Sequence, residues 1–334
     1  MLIDRKGMYV RLLMSITGVF IFMVLTGCGL FVKNIPPGQI VSGSTQDHFI
    51  EIGDINYHYQ EFVGPGDNIF LLHGFSSSTY TWEKVAARLN AQGYHVWAMD
   101  MKGFGWSDKP KGASYDPVSL MEDVNAWMDA MDLNNVVFVG NSLGGAIAVL
   151  MAAEHPEKID GLVLIDASGY PRKRPLLFRI GKLPLAGNLV KLVFGPWMVK
   201  KNLREVFFHK DWVTKEQIDA YYDRLRTQGA LDVQISLIKS IEISSFEDYV
   251  RSVFESDIKT LIIWGKDDEW IPLEFGYRFK KDLPNSTLAV IPECGHTPQE
   301  EKPDVTATLI KDFVEGKPIQ EFYLPEFKDD VQQD

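Results

Sequence analysis

The stretch Val136-Val137-Phe138-Val139-Gly140-Asn141-Ser142-Leu143-Gly144-Gly145 passes from an apolar run into a helical pattern that continues to Glu154, with a serine at the junction. Four consecutive apolar residues closed by a glycine read as a short strand buried on both faces. Glycines on either side of the serine permit a tight, strained turn. Such a turn lifts the Ser142 hydroxyl above the sheet, where a base can reach it. A plainer reading competes, because serine before an apolar helix is a common N-cap. The rest of the chain has to choose between them.

Working outward, short apolar strands recur at Asn68–Leu72, His95–Met99, Gly161–Ile165, Thr260–Trp264 and Thr287–Ile291. Helical patterns lie near Tyr80–Ala91, Pro117–Met131, Leu273–Lys281 and Pro303–Glu315. Alternating strands and helices predict an α/β fold with a mostly parallel sheet covered on both faces. Phe49–Phe62, with Gly53-Asp54 at its centre, predicts an antiparallel hairpin that opens the sheet. Between Ile165 and Thr260 the connection is far longer than an ordinary loop, which predicts a helical insertion.

Three further motifs follow strands: His73-Gly74-Phe75, Trp264-Gly265-Lys266-Asp267-Asp268 and Glu293-Cys294-Gly295-His296. The chain order Ser, acid, His is that of an α/β hydrolase. From about residue 48 to 315 the sequence resembles the α/β-hydrolase superfamily, in the branch carrying a cap domain. The resemblance implies that Ser142 is a nucleophile, His296 its base and Asp268 the acid that orients the base. Asp268 stands three residues after Gly265, as the family's turn requires. Asp267 beside it, and Asp166 after an earlier strand, are the other candidates for the acid. The resemblance also implies that the backbone N–H groups of Phe75 and Leu143 hold the oxyanion, with His73 structural. Asp100-Met101-Lys102-Gly103-Phe104-Gly105-Trp106-Ser107-Asp108 also resembles a family loop, and its residues read as scaffold, with glycines for a tight turn and Asp100 and Ser107 for local hydrogen bonds. Such chemistry, through an acyl-enzyme, needs no metal or organic cofactor.

Composition bounds the alternatives. The chain has 334 residues, 46% hydrophobic and 24% charged, enough for a large core. A net charge of −11 offers a nucleic-acid backbone no general attraction, so no nucleic-acid partner is expected. Cys28 and Cys294 are too few for a disulfide framework or a cysteine-rich zinc site. At the N-terminus, Arg5, Lys6 and Arg11 precede the apolar run Leu12–Leu25, the order of an export signal. Leu25-Thr26-Gly27-Cys28 resembles a bacterial lipobox, which implies cleavage before Cys28 and lipid on its sulfur. The alternative is an uncleaved anchor helix, since about 20 apolar residues span a bilayer. Either expectation puts the domain at a membrane outside the cytoplasm.

The expected organisation is a leader or anchor at 1–27, a tether at 28–47, the hydrolase core at 48–169 and 256–315, a cap at 170–255 and a polar tail at 316–334. From Ala167 to Arg204 there is no acidic residue, and nine basic ones are interleaved with Leu, Phe, Val and Trp: Arg172, Lys173, Arg174, Arg179, Lys182, Lys191, Lys200, Lys201 and Arg204. That segregation fits a surface for anionic lipid headgroups, or else an ordinary solvated rim over apolar residues that cover the site. An apolar ester or acylglycerol is the expected substrate. The nearest rival is a carbon–carbon bond hydrolase of ring-cleavage products, which Gly-Asn-Ser before a glycine pair also resembles. Against it stand the oxyanion loop His73-Gly74-Phe75-Ser76-Ser77, without a glycine run, and Thr297 where those enzymes often carry Trp. A non-catalytic binding protein on the same fold is the alternative from another class. The oligomeric state is not legible in the sequence.

Overall fold

The computed structural model describes residues 45–171, 191 and 194–320. The expected leader, Cys28, the tether up to residue 44, most of the basic segment and the tail beyond residue 320 lie outside the described residues.

Eight strands form one sheet: β1 (Asp47–Ile52), β2 (Ile55–Phe62), β3 (Asn68–Leu72), β4 (His95–Met99), β5 (Val136–Asn141), β6 (Ile159–Ile165), β7 (Thr260–Gly265) and β8 (Thr287–Ile291). The described helices are α1 (Glu83–Ala91), α2 (Pro117–Ala130), α3 (Leu143–Glu154), α4 (Pro196–Val206), α5 (Lys215–Leu225), α6 (Ala230–Ser240), α7 (Phe246–Glu255), α8 (Glu274–Asp282), α9 (Pro298–Glu301) and α10 (Pro303–Val314). The strand order is β1-β2-β4-β3-β5-β6-β7-β8. β2 pairs antiparallel with β1 and β4, and the remaining pairs are parallel. β4 lies on one side of β3 and β5 on the other, so the loops leaving β3 and β5 diverge. A crevice opens at such a reversal of strand order. Its two lips are His73–Phe75 and Asn141–Ser142.

The period-2 alternation of each strand feeds two apolar layers. Ile69 and Leu71 join Trp82, Val85, Leu89 and the inward face of α10 on one side of the sheet. Phe70 and Leu72 join Trp127, Leu120 and the residues of α3 on the other. Residues Leu143–Ala152 of α3 are all buried, which is why this helix shows no polar face. α2 starts where the sequence dictates: Asp116 accepts the Val118 and Ser119 N–H groups and Pro117 takes the first turn.

The long connection from β6 to β7 carries α4 to α7. α4 and α5 share a small apolar cluster of Phe194, Val199, Leu203 and Tyr221. α7, within the stretch expected as the insertion, packs on α3 and adds Phe246, Val250 and Val253 to the core layer. Polar contacts tie α5 and α6 down over the β3 loop. Ser76 Oγ donates to Gln234 Oε1 at 2.6 Å, Ser77 Oγ and Tyr221 OH are 3.2 Å apart, and Tyr221 OH donates to the buried Glu300. Glu300 also accepts from Thr81 Oγ1 at 2.7 Å and Gln217 Nε2 at 3.2 Å. These contacts hold α5 and α6 against the β3 loop and α9.

Candidate active site

Ser142 sits between β5 and α3 with φ 54° and ψ −114°. A non-glycine residue in this region is strained, and such strain persists only where the surroundings enforce it. They do so here by close approach. A Cβ on Gly140 would lie 2.3 Å from the Gly144 carbonyl oxygen, and one on Gly144 would lie 2.3 Å from that of Leu72. Ser142 occupies the N-cap position of α3, yet its side chain makes no capping hydrogen bond. The N-cap reading of the serine therefore fails, since a capping serine has extended backbone and uses its hydroxyl.

The β3 loop runs directly beside this turn, with Gly74 so near that a Cβ there would stand 3.0 Å from Ser142 Cβ. His73 fixes that loop. It is fully buried, its Nδ1–H donates to the Gly74 carbonyl at 2.8 Å, and its Nε2 accepts the Met101 N–H at 3.2 Å. Burial holds its pKa below the ordinary histidine value, in keeping with a neutral ring used on both nitrogens. Leu143 opens α3, so its N–H is among those at a helix start that have no intrahelical acceptor. Phe75 thus follows Gly74 on one lip of the crevice, and Leu143 follows Ser142 on the other.

His296 lies in the turn after β8 and Asp268 in the turn after β7. Both are buried, and His296 Nδ1 is 2.7 Å from Asp268 Oδ2. Asp268 Oδ1 accepts the N–H groups of Trp270 and Ile271 at 2.7 and 2.9 Å, which fixes the carboxylate. The Trp270 ring lies nearly parallel to the imidazole at 5.9 Å. Backbone contacts hold the histidine turn: its N–H donates to the Val206 carbonyl at 2.7 Å, and the Asn141 amide donates to its carbonyl at 3.2 Å. Asn141 also donates to Ile165, so one side chain links the turns after β5, β6 and β8. His296 Nε2 has no hydrogen-bond partner among the described residues, and no hydrogen bond joins it to Ser142. Such bonds are often long before substrate binds.

Of the three acid candidates, Asp267 is exposed and accepts the Glu293 N–H at 3.1 Å, away from the imidazole. Asp166 is fully buried, and one polar atom from each of Asp166, Asp268 and His296 falls within 4.8 Å of the others. By distance alone these three groups could offer ligands to a cation. In the structure His296 pairs with Asp268, whose other oxygen accepts two N–H groups. The Asp100 loop is scaffold, as its sequence suggests. Asp100 accepts from Thr79 N–H and Trp106 N–H, and Ser107 Oγ donates to the Asp100 carbonyl at 2.6 Å. Sequence reasoning did not find the linking role of Asn141, nor the burial of Glu300 between core and insertion. Both side chains are visible in their motifs, but their partners come from distant loops.

Residues 67–303, more than half of the chain, match the family described by its alpha/beta hydrolase fold. The chain belongs to the α/β-hydrolase fold family. Among its relatives, this α/β hydrolase is 27% identical over 254 residues to Lipase 1 of Psychrobacter immobilis, covering 74% of this chain and 77% of that protein. It is 28% identical over 287 residues to the 2-hydroxy-6-oxo-6-phenylhexa-2,4-dienoate hydrolase of Burkholderia cepacia, covering 82% and 98%. Among solved structures it superposes on a membrane phospholipase A, a bacterial virulence factor, with a TM-score of 0.69 and 27% identity, over 94% of this chain and 99% of that one. The family and these relatives support a hydrolase activity for this chain. Among the described residues, no helix is long and apolar enough to cross a membrane.

Proposed function

We propose that this hydrolase is a serine esterase acting on apolar carboxylic esters, lipase-like in its substrates, through Ser142, His296 and Asp268. The observation that carries the reading is the strained Ser142 turn set among the loops that hold the buried His296–Asp268 pair. In the proposed mechanism His296 Nε2 takes the Ser142 proton as Oγ bonds to the ester carbonyl carbon. The oxyanion that develops is held by the N–H groups of Phe75 and Leu143, and losing one such donor typically costs about 3–4 kcal/mol. Collapse expels the alcohol, protonated by His296, and leaves an acyl-enzyme. Water, deprotonated by the same imidazole, then releases the acid and restores Ser142. Asp268 keeps the Nδ1 proton in place and stabilises the transient cation.

A membrane setting supports an apolar substrate. The stretch from α4 to Trp212 carries Trp197, Phe208 and Trp212, each 40–54% exposed, with exposed Lys200, Lys201 and Lys210, and with Glu205 and Asp211 exposed among them. Aromatic rings among cations suit an interface with anionic headgroups. In this reading residues 1–27 are a leader, Cys28 carries lipid, and the cap at 170–255 faces the bilayer. Palmitate labelling lost in Cys28→Ser supports the lipid anchor, whereas an unlabelled, uncleaved, membrane-attached chain supports an anchor helix.

A second reading is favoured by one specific finding, the 28% identity to the dienoate hydrolase, level with that to the lipase. The deciding assay offers the protein p-nitrophenyl esters from acetate to palmitate and, separately, a ring-cleavage dienoate. Ester turnover that is lost in Ser142→Ala, with no decay of the dienoate absorbance, supports the esterase. Faster decay of the dienoate than of any ester overturns it in favour of carbon–carbon hydrolysis.

A further inference from the structure

The mechanism above leaves one buried ionisable group unused. Asp166 follows β6 with φ 43°, held there by its own N–H donating to the Ile263 carbonyl at 3.0 Å. Its side chain is completely buried. Oδ1 accepts the Gly265 N–H at 3.0 Å, while Oδ2 is buried without a hydrogen-bond partner when the group is drawn as a carboxylate. A buried acceptor left unpaired is expensive, and a buried unpaired charge more so. Of the groups facing it, Asp268 from the turn after β7 and Glu301 from α9 make ionisation worse; Cys294 and His296, from the turn after β8, are the others. Asp268 is the nearest acid, and two adjacent buried carboxyls cannot both be charged.

Counting donors decides which of the two holds the proton. Asp268 receives three hydrogen bonds, from Trp270 N–H, Ile271 N–H and His296 Nδ1–H. Asp166 receives one. Donors stabilise the charged form, so Asp268 is the carboxylate and Asp166 the acid. Burial and the Asp268 charge accordingly push the Asp166 carboxyl well above the ordinary range, against the opposing pull of the Gly265 N–H.

We propose that Asp166 is a positioning residue: a neutral carboxyl whose O–H donates to the Asp268 carboxylate and holds it against His296. Its role is to complete the hydrogen-bond shell of the acid, so that Asp268 has one orientation and keeps its charge for the imidazole. The inference rests on the triad proposed above. It differs from the earlier alternative in which Asp166 is itself the acid, because here the imidazole Nδ1–H bonds to Asp268 and Asp166 acts only through that carboxylate.

The test compares Asp166→Asn with Asp166→Gly in the full chain. Asparagine is neutral, keeps a donor for Asp268 and tolerates positive φ, whereas glycine suits the backbone and removes the donor. On an ester whose turnover depends on Ser142, Asp166→Asn is expected to keep kcat within about threefold, with the acid limb of the kcat/KM profile in place. Asp166→Gly is expected to lose kcat by about tenfold or more with little change in KM, the usual loss for a donor to a charged group. In parallel, the downfield NMR resonance of the His296 Nδ1 proton should persist in Asp166→Asn and move or vanish in Asp166→Gly. An acid limb displaced by about a unit in Asp166→Asn would show that Asp166 is ionised and overturn the proposal, as would Asp166→Gly with kcat and resonance unchanged. Should glycine prevent folding, the asparagine profile and resonance decide alone. Wild-type protein inactive on esters would count against the esterase reading only, and the NMR comparison would still decide the role of Asp166.

Discussion

Two buried histidines in this molecule each place Nδ1 2.7 Å from a buried aspartate: His58 with Asp100, and His296 with Asp268. What separates them is the second nitrogen. His58 Nε2 is engaged by Asp47 at 3.2 Å, on strand β1, so the ring is a cross-link between the hairpin and the Asp100 loop. His296 Nε2 has no partner among the described residues, and its turn is tied through Asn141 to the strained serine turn. A histidine–aspartate pair is therefore not itself a sign of catalysis. In the proposed mechanism the capacity for proton transfer lies instead in a nitrogen left open among the described residues, on a turn tied to a serine whose backbone is forced into place.

The largest expected break in this comparison is His296→Ala, which should lower ester turnover by about four orders of magnitude or more while the thermal midpoint changes little. His58→Ala should do the reverse: the folded fraction stays active, and unfolding in urea shows a loss of about 3–5 kcal/mol, because Asp100 is left buried without its cation. Within the acid pair, Asp268→Asn is expected to lower kcat by about 10⁴ through the wrong tautomer of His296. Asp267→Asn should stay within about threefold, as for other surface changes, and steady-state kinetics on both separates the neighbours.

The smallest effect concerns pH. Burial alone would depress His58, but the Asp100 and Asp47 carboxylates more than reverse this and raise its pKa above the ordinary 6.5. The folded state then binds the His58 proton more tightly than the unfolded chain. Its contribution is fully present below pH 6.5 and is lost as pH rises through the raised folded value. His73, whose pKa burial lowers, acts oppositely: it costs stability as pH falls below 6.5. Urea unfolding of wild type and His58→Asn across pH 5–9 should show curves that converge as pH rises; a constant gap would mean that His58 is not charged in the fold.

Much of this was legible in the sequence, for identifiable reasons. Asn68–Leu72, His95–Met99 and Thr287–Ile291 are strands with the bounds their apolar runs suggest, since a short buried run bounded by polar residues has few other uses. The helical pattern from Tyr80 instead begins as a 3-10 turn, Thr79–Trp82, because Asp100 Oδ1 captures the Thr79 N–H from another loop. Ser142 and His296 stand out in the sequence because each follows a strand beside a glycine. The choice between Asp267 and Asp268 rested on spacing, and the contact of Asp268 with His296 fits that choice. The closeness of Asp166 to Asp268 was not legible, because it follows from β6 and β7 being neighbours in the sheet. The contact of Glu300 with Tyr221 depends likewise on how the insertion folds back.

The most direct measurement is intact-protein and peptide mass spectrometry of the full chain after reaction with a fluorophosphonate, beside Ser142→Ala and His296→Ala. The account predicts one adduct, on the peptide carrying Ser142, absent in Ser142→Ala and formed far more slowly in His296→Ala. Folded wild-type protein that takes up no adduct, or carries it on another residue, would contradict it.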